Sequence, residues 1–230
     1  MSTRHNVGLE CLLFKGKAIK SANQWFNKRY AQIQSEQTQG TTNRFQPTAE
    51  SRRLSIKREN TMSDFMHKVA KKIVQWCDQN NIDTIIVGNN NGWKQKIHHG
   101  KKENQKFVEI PYDRFKFYLE YLSERYGIRL IRQEESYTSK ASFRMQDPIP
   151  VFGKEGAEKI RFSGRRAPTV YKGNRRRKGF RGLYKDADGY ILNSDLNGSA
   201  NIGRKAFPEL FTPESVQFEN VMIIQHPDKM

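Results

Sequence analysis

The chain has 230 residues, in which 41 lysines and arginines face 24 acids, a formal net charge of +17. That length allows one good hydrophobic core with room for one small appended module, and the charge calls for a polyanionic partner, nucleic acid first. No apolar run is long enough to span a bilayer and no secretory pattern follows Met1, so a cytoplasmic protein without a membrane partner is expected. The two cysteines, Cys11 and Cys77, sit in apolar segments and predict buried thiols, not a disulfide framework.

Val7 to Phe14 (VGLECLLF) is an apolar run of strand length, ended by Lys15, Gly16 and Lys17. Ala18 to Gln34 can be helical, with Ile19, Trp25 or Phe26, Tyr30 and Ile33 for one face, and it also carries Lys20, Lys28 and Arg29. Ser35 to Thr48 has no periodicity and reads as a loop. A second helix follows, defined by Met62, Phe65, Met66, Val69, Ile73 and Trp76; that three- and four-residue spacing is a core stripe, not a cofactor site. Asn80 and Asn81 end it. Thr84 to Val87 is a β-branched strand, and a basic loop with Lys94, Lys101 and Lys102, candidate nucleic-acid contacts, comes next. His98 and His99 are adjacent in that loop and point apart in most backbones, which suits solvated or phosphate-facing side chains better than a metal site.

Pro111 suits the first position of another helix, where its missing amide proton is not needed. Phe115, Leu119, Leu122 and Tyr126 make the buried face and Gly127 ends it. The strand Ile128 to Gln133 then delivers Glu134 and Glu135. Strand, helix, strand in this order reads as a parallel unit, and the carboxyl ends of such strands are where open α/β sheets bind ligands. From Ser142 to Lys185 the chain is loop-rich and basic, with Arg165, Arg166, Arg175, Arg176, Arg177, Lys178 and Arg181 interleaved with Phe162, Tyr171, Phe180 and Tyr184. Cations hold phosphates and flat rings stack on bases, so this segment reads as a nucleic-acid contact, against the alternative of a solvated insertion.

Gly189 to Phe207 (GYILNSDLNGSANIGRKAF) opens with a short strand, and Asn193, Ser194 and Asp195 are residue types that start helices. Gly198 and Gly203 each cost a helix roughly 1 kcal/mol relative to alanine. Close packing of a small-residue face, Gly198, Ser199, Ala200, Gly203 and Ala206, against a sheet is the expected compensation, which would bring Asp195 to the sheet's edge. From residue type alone Asp195 reads first as an N-cap, with a metal ligand as the alternative.

SDLNGSANIGRKA resembles the terminal motif of the TnpB (OrfB) family of insertion-sequence transposases, RNA-guided DNA endonucleases with a RuvC-type core related to compact type V CRISPR effectors. VGNNNGWKQ, KKENQKFVEIPYDRF, GIRLIRQEESYTSKASF and GRR with RGLY are similar to successive segments of one subfamily, in collinear order from about Gly16 to Phe211. The resemblance implies an RNase H-like α/β core lacking its first strand: 1–141 partial core, 142–188 a basic insertion of the target-nucleic-acid-binding type, 189–211 the final strand and helix, 212–230 a tail. It implies DNA and a guide RNA as partners. It also implies three carboxylates holding two Mg²⁺ ions roughly 4 Å apart, with Asp195 the last of them. Gly88 and Asn89 stand where most of the family carries the middle glutamate, and Glu135, with Glu134 as the alternative, matches the position used by a subfamily instead. The first aspartate has no match, since none precedes Asp64, which lies in a helix, and Glu10 reads as an edge residue. The family's paired C-x-x-C knuckles are missing as well, so no zinc is expected. The resulting expectation is a transposase-related protein that binds RNA and DNA and is deficient as a nuclease. The alternatives are one part of an active endonuclease completed by another polypeptide, or an unrelated basic RNA-binding protein.

Overall fold

The computed structural model describes residues 11–40, 44–89, 111–168, 170–172, 175–177, 179–180 and 182–228. The chain forms two compact units, one from Met1–Leu13, Thr84–Asn91 and Arg129–Met222 and the other from Phe14–Asp83, Gly92–Ile128 and Ile223–Met230. No described helix is long and apolar enough to cross a membrane.

The second unit is helical, with α1 (Lys17–Thr38), α2 (Ala49–Gln79) and α3 (Tyr112–Arg125). Helix α1 runs past the expected end into the predicted loop, because Gln and Glu are good helix formers there; Gln32 Nε2 donates to Glu36 Oε1 at 2.8 Å across one turn. Phe26, not Trp25, belongs to the inner side: it stacks on Tyr30 at 5.4 Å, while Trp25 is 54% exposed. Thr48 caps α2 by accepting the Ser51 amide at 3.1 Å. The expected stripe on α2 holds at Met62, Met66 and Val69, but its C-terminal end rotates onto Val74 and Cys77, leaving Ile73 and Trp76 half-buried. Ile19, Met62 and Met66 pack with Phe65, Phe115 and Tyr118 to form the core of this unit. Pro111 sits one position earlier than expected, as the N-cap of α3, and Tyr126 is its exposed C-cap. Gly127 follows at φ +67°, a conformation that favours glycine.

In the first unit, β2 (Thr84–Asn89) pairs in parallel with β3 (Arg129–Glu134), with Gly88 opposite Gln133 and Asn89 opposite Glu134. This is the parallel pairing read from the strand, helix, strand order. Helix α4 (Ser194–Ala206) packs on both strands. Strands β4 (Arg165–Arg166), β7 (Leu183–Lys185) and β8 (Ile191–Asn193) make an antiparallel sheet in the order β4, β7, β8. Strands β5 (Val170–Lys172) and β6 (Arg175–Arg177) form a hairpin. A further pair joins β1 (Cys11–Phe14) to β9 (Val221–Ile224). Phe143, Tyr184, Leu192, Leu196, Ala200 and Phe218 are the core.

The basic insertion is organised by the buried carboxylates of Asp147 and Asp186. Asp147 Oδ2 accepts the amides of Ser142 (2.8 Å) and Ser163 (3.0 Å). Asp186 binds the Arg144 guanidinium and accepts the Tyr190 amide at 2.9 Å. Each carboxylate ties together loop backbone by accepting its amides. One aromatic side chain also contributes, since Tyr184 is wholly buried and donates its hydroxyl to the Lys140 carbonyl at 2.9 Å.

Candidate active site

Helix α4 is a bar with two working sides. On one, Asn197 accepts the Phe143 amide at 3.1 Å and donates to the Ala141 carbonyl at 2.8 Å, and Asn201 donates to the carbonyls of Thr138 (2.9 Å) and Ala141 (2.8 Å). Arg204 donates to the Asp147 carbonyl at 2.6 Å. At i, i+4 and i+7 these residues share a face, so the polar letters of SDLNGSANIGRKA hold the loop that follows β3. That function was not legible from composition, because a buried Asn at helical spacing resembles a solvent-facing one.

The other side carries Asp195, Gly198 and Ile202, with Asp195 and Ile202 about 10 Å apart along the axis. Asp195 is not the cap. Asn193 Oδ1 takes the amides of Asp195 (2.8 Å) and Leu196 (3.3 Å), which leaves the Asp195 carboxylate outside the capping bonds and 74% exposed. Arg166 Nη2 approaches that carboxylate to 3.8 Å and lies 3.4 Å from the Ser194 hydroxyl. The small-residue explanation also changes. A β-carbon on Gly203 would run into the Phe211 ring, as close packing requires, but one on Gly198 would meet nothing within 4 Å. Gly198 therefore keeps the stretch between Asp195 and Ile202 open.

Glu135 comes up to the Ile202 end of that stretch from the sheet. A β-carbon placed on Gly88 would fall on Glu135 Oε2, with the Glu135 carboxyl carbon and Ile202 Cδ1 both 2.9 Å away. The carboxylate thus lies over Gly88, in the volume that a side chain at that strand position would fill. The backbone around it is held firmly. The Glu135 carbonyl accepts from Thr138 N (3.3 Å) and Oγ1 (2.8 Å), and Lys205, only 8% exposed, binds the Glu134 carboxylate and the Ser136 and Pro150 carbonyls, the latter two at 3.2 Å. Glu134, the alternative ligand, is committed to that ion pair and to the Ser136 amide at 2.6 Å. Burial alone would raise its carboxyl, but the bonds from Lys205 and Ser136 outweigh this and hold it below the usual carboxylate range.

Of the other candidates, Arg165 and Arg166 are exposed on β4, and Arg175, Arg176 and Arg177 form β6. Lys94, Lys101, Lys102, Lys178, Arg181, His98, His99 and Glu10 lie outside the described residues. Among the described residues no group of three or more His, Cys, Asp or Glu side chains could hold a metal. Cys77 is buried and its thiol is pushed up to about 11 by desolvation; Cys11 is half-buried and raised by desolvation and by Glu219.

A parallel strand pair crossed by a helix that presents a carboxylate at its first turn, beside a basic insertion, makes a mixed α/β protein. Two family models match the chain, OrfB_IS605, "Probable transposase", over residues 4–94, and "Cas12f1-like, TNB domain" over residues 112–202. Together the two models relate the chain to the transposases of the TnpB (OrfB) family. A search among curated proteins finds no match. Among solved structures the chain is similar to the protein in a cryo-EM structure of a Cas12f1–sgRNA–target DNA complex, with a TM-score of 0.54 and 16% identity over 84% of this chain. It spans 43% of the length of that chain.

Proposed function

We propose that the sheet unit is part of an RNase H-like (RuvC-like) nuclease core in which Glu135 and Asp195 are two of the three metal-binding carboxylates, and that it acts on nucleic acid with RNA and DNA as partners. The observation that carries this reading is the Glu135 carboxylate lying over Gly88, since it explains how a sheet whose β2 ends in Gly88 and Asn89 can still present a carboxylate beside α4. Carboxylate oxygens are the donors that Mg²⁺ takes, a hard cation commonly bound by one or two carboxylates while keeping several waters. When bound, such an ion polarises phosphoryl oxygens and activates water. The protein's own share is to aim the carboxylates: Asn193 frees Asp195 from capping, and Lys205 and Thr138 fix the chain on both sides of Glu135.

Two carboxylates do not make a two-ion clamp, and β1 contributes no acid. The 230-residue chain alone is therefore expected not to cut DNA, and to become a nuclease only with a third carboxylate supplied by another segment. Manganese titration followed by electron paramagnetic resonance tests this. Parent protein should bind one weakly held ion, Glu135→Gln and Asp195→Asn should each abolish the signal, and Glu134→Gln should keep it. Metal-dependent cutting of single-stranded or duplex DNA by the chain alone, abolished by Asp195→Ala, would show a third ligand inside it, with Glu10 the first suspect.

A further inference from the structure

We propose that the α1–α2 hairpin carries a binding surface for single-stranded nucleic acid, centred on the Trp25 indole and the cations Lys28, Arg53 and Lys57. It lies wholly in the helical unit and does not depend on the metal reading. Between Lys15 and Glu59 the sequence holds ten lysines and arginines and three acids. Two of those acids are already engaged: Glu50 with Arg29 at 2.6 Å and Glu59 with Arg114. Among the described residues no carboxylate pairs with Lys20, Lys28, Arg52, Arg53 or Lys57, all of them exposed.

The antiparallel register places these groups around one ring. Lys57 Nζ sits 5.3 Å from the Trp25 ring centroid, Arg58 Nε donates to Asn23 Oδ1 at 2.7 Å, and Arg29 reaches Glu50. The same register puts Lys28 level with Arg53, one turn further along. Trp25 is 54% exposed and Ile56, beside Lys57, is 61% exposed. A protein partner matched to this surface would need a dense acidic rim around an apolar centre. A single strand supplies both chemistries at once, phosphates for the cations and a base face for the indole, and Trp is the best cation–π ring, so Lys57 can stay on one face while a base takes the other.

The full chain is titrated with fluorescein-labelled oligothymidylate and oligouridylate of roughly 20 nucleotides, longer than the footprint of one such surface, over a range of salt. Lys28→Ala/Arg53→Ala/Lys57→Ala should flatten the plot of log affinity against log salt by about 2, at roughly 0.7 per phosphate contact on a single strand. Trp25→Ala should weaken binding about tenfold at unchanged slope, because stacking carries no counterion, and Trp25→Phe should recover most of the loss. Unchanged circular dichroism and melting confirm that the variants fold. The two oligonucleotides distinguish RNA from DNA. Parent-like affinity and slope in both the triple variant and Trp25→Ala overturn the inference, as does loss of vesicle binding (anionic phospholipid) without loss of oligonucleotide binding. Arg175→Ala/Arg176→Ala/Arg177→Ala, run in parallel, separates the contribution of the basic insertion: no effect there counts against the insertion as a contact, not against the hairpin.

Discussion

At Gly88 the missing side chain matters more than any present one. Its neighbour Glu135 occupies the space, so Gly88→Ala should push the carboxylate away, since the added carbon would clash with Oε2. Manganese affinity should fall by about tenfold to a hundredfold, the scale of disturbing a group that orients a ligand, with little change in melting temperature. Lys205 acts from the other side. Glu134 is held below its ordinary range mainly by Lys205 and Ser136 acting against burial, and a carboxylate so depressed stabilises the fold above its unfolded value of about 4.3 and loses that contribution as pH falls through its folded value. Lys205→Met should therefore lower the melting temperature at pH 7 and flatten its decline on acidification, and it should also weaken manganese binding because Glu135 loses its anchored neighbours. A variant that melts lower but keeps parent manganese affinity would restrict Lys205 to a structural role.

Helix α4 is capped by Asn193, two residues before Asp195. Asn193→Ala removes the acceptor for two amides and should cost about 1 kcal/mol. Asp195→Ala removes only a favourable first-turn charge, worth a few tenths of a kcal/mol on so exposed a group. Urea unfolding of the two variants should show that order; the reverse order would restore Asp195 as the cap. The helix's two glycines should also part company. Gly198→Ala enters open space and should be neutral or stabilise by up to about 1 kcal/mol, whereas Gly203→Ala must displace the Phe211 ring and should destabilise.

At the scale of the whole molecule, two buried carboxylates hold the insertion together. Asp147 and Asp186 gather the insertion through backbone amides and Arg144, a role that needs no metal. The two thiols are both shifted away from thiolate, the form that binds metal, by burial. Elemental analysis of purified protein should find no stoichiometric zinc, and Asp147→Ala, which strands the amides of Ser142 and Ser163, should loosen the insertion and raise its proteolytic sensitivity. One zinc per chain would contradict a carboxylate-organised insertion.

The sequence by itself determined the large periodic features: the core stripe of α2, the parallel order of β2 and β3, the excess of positive charge, and the motif that carries the family. These are local or collinear signals, so a linear reading suffices. It also singled out Glu135 and Asp195. It could not decide whether Asp195 caps its own helix, whether Glu134 is engaged by another side chain, or whether Gly198 is packed or open. Each of those turns on which side chain arrives first: Asn193 takes the helix amides, Lys205 takes Glu134, and Phe211 reaches Gly203 but nothing reaches Gly198. Competition between partners brought together by folding has no periodicity in the chain, and only the tertiary structure resolves it.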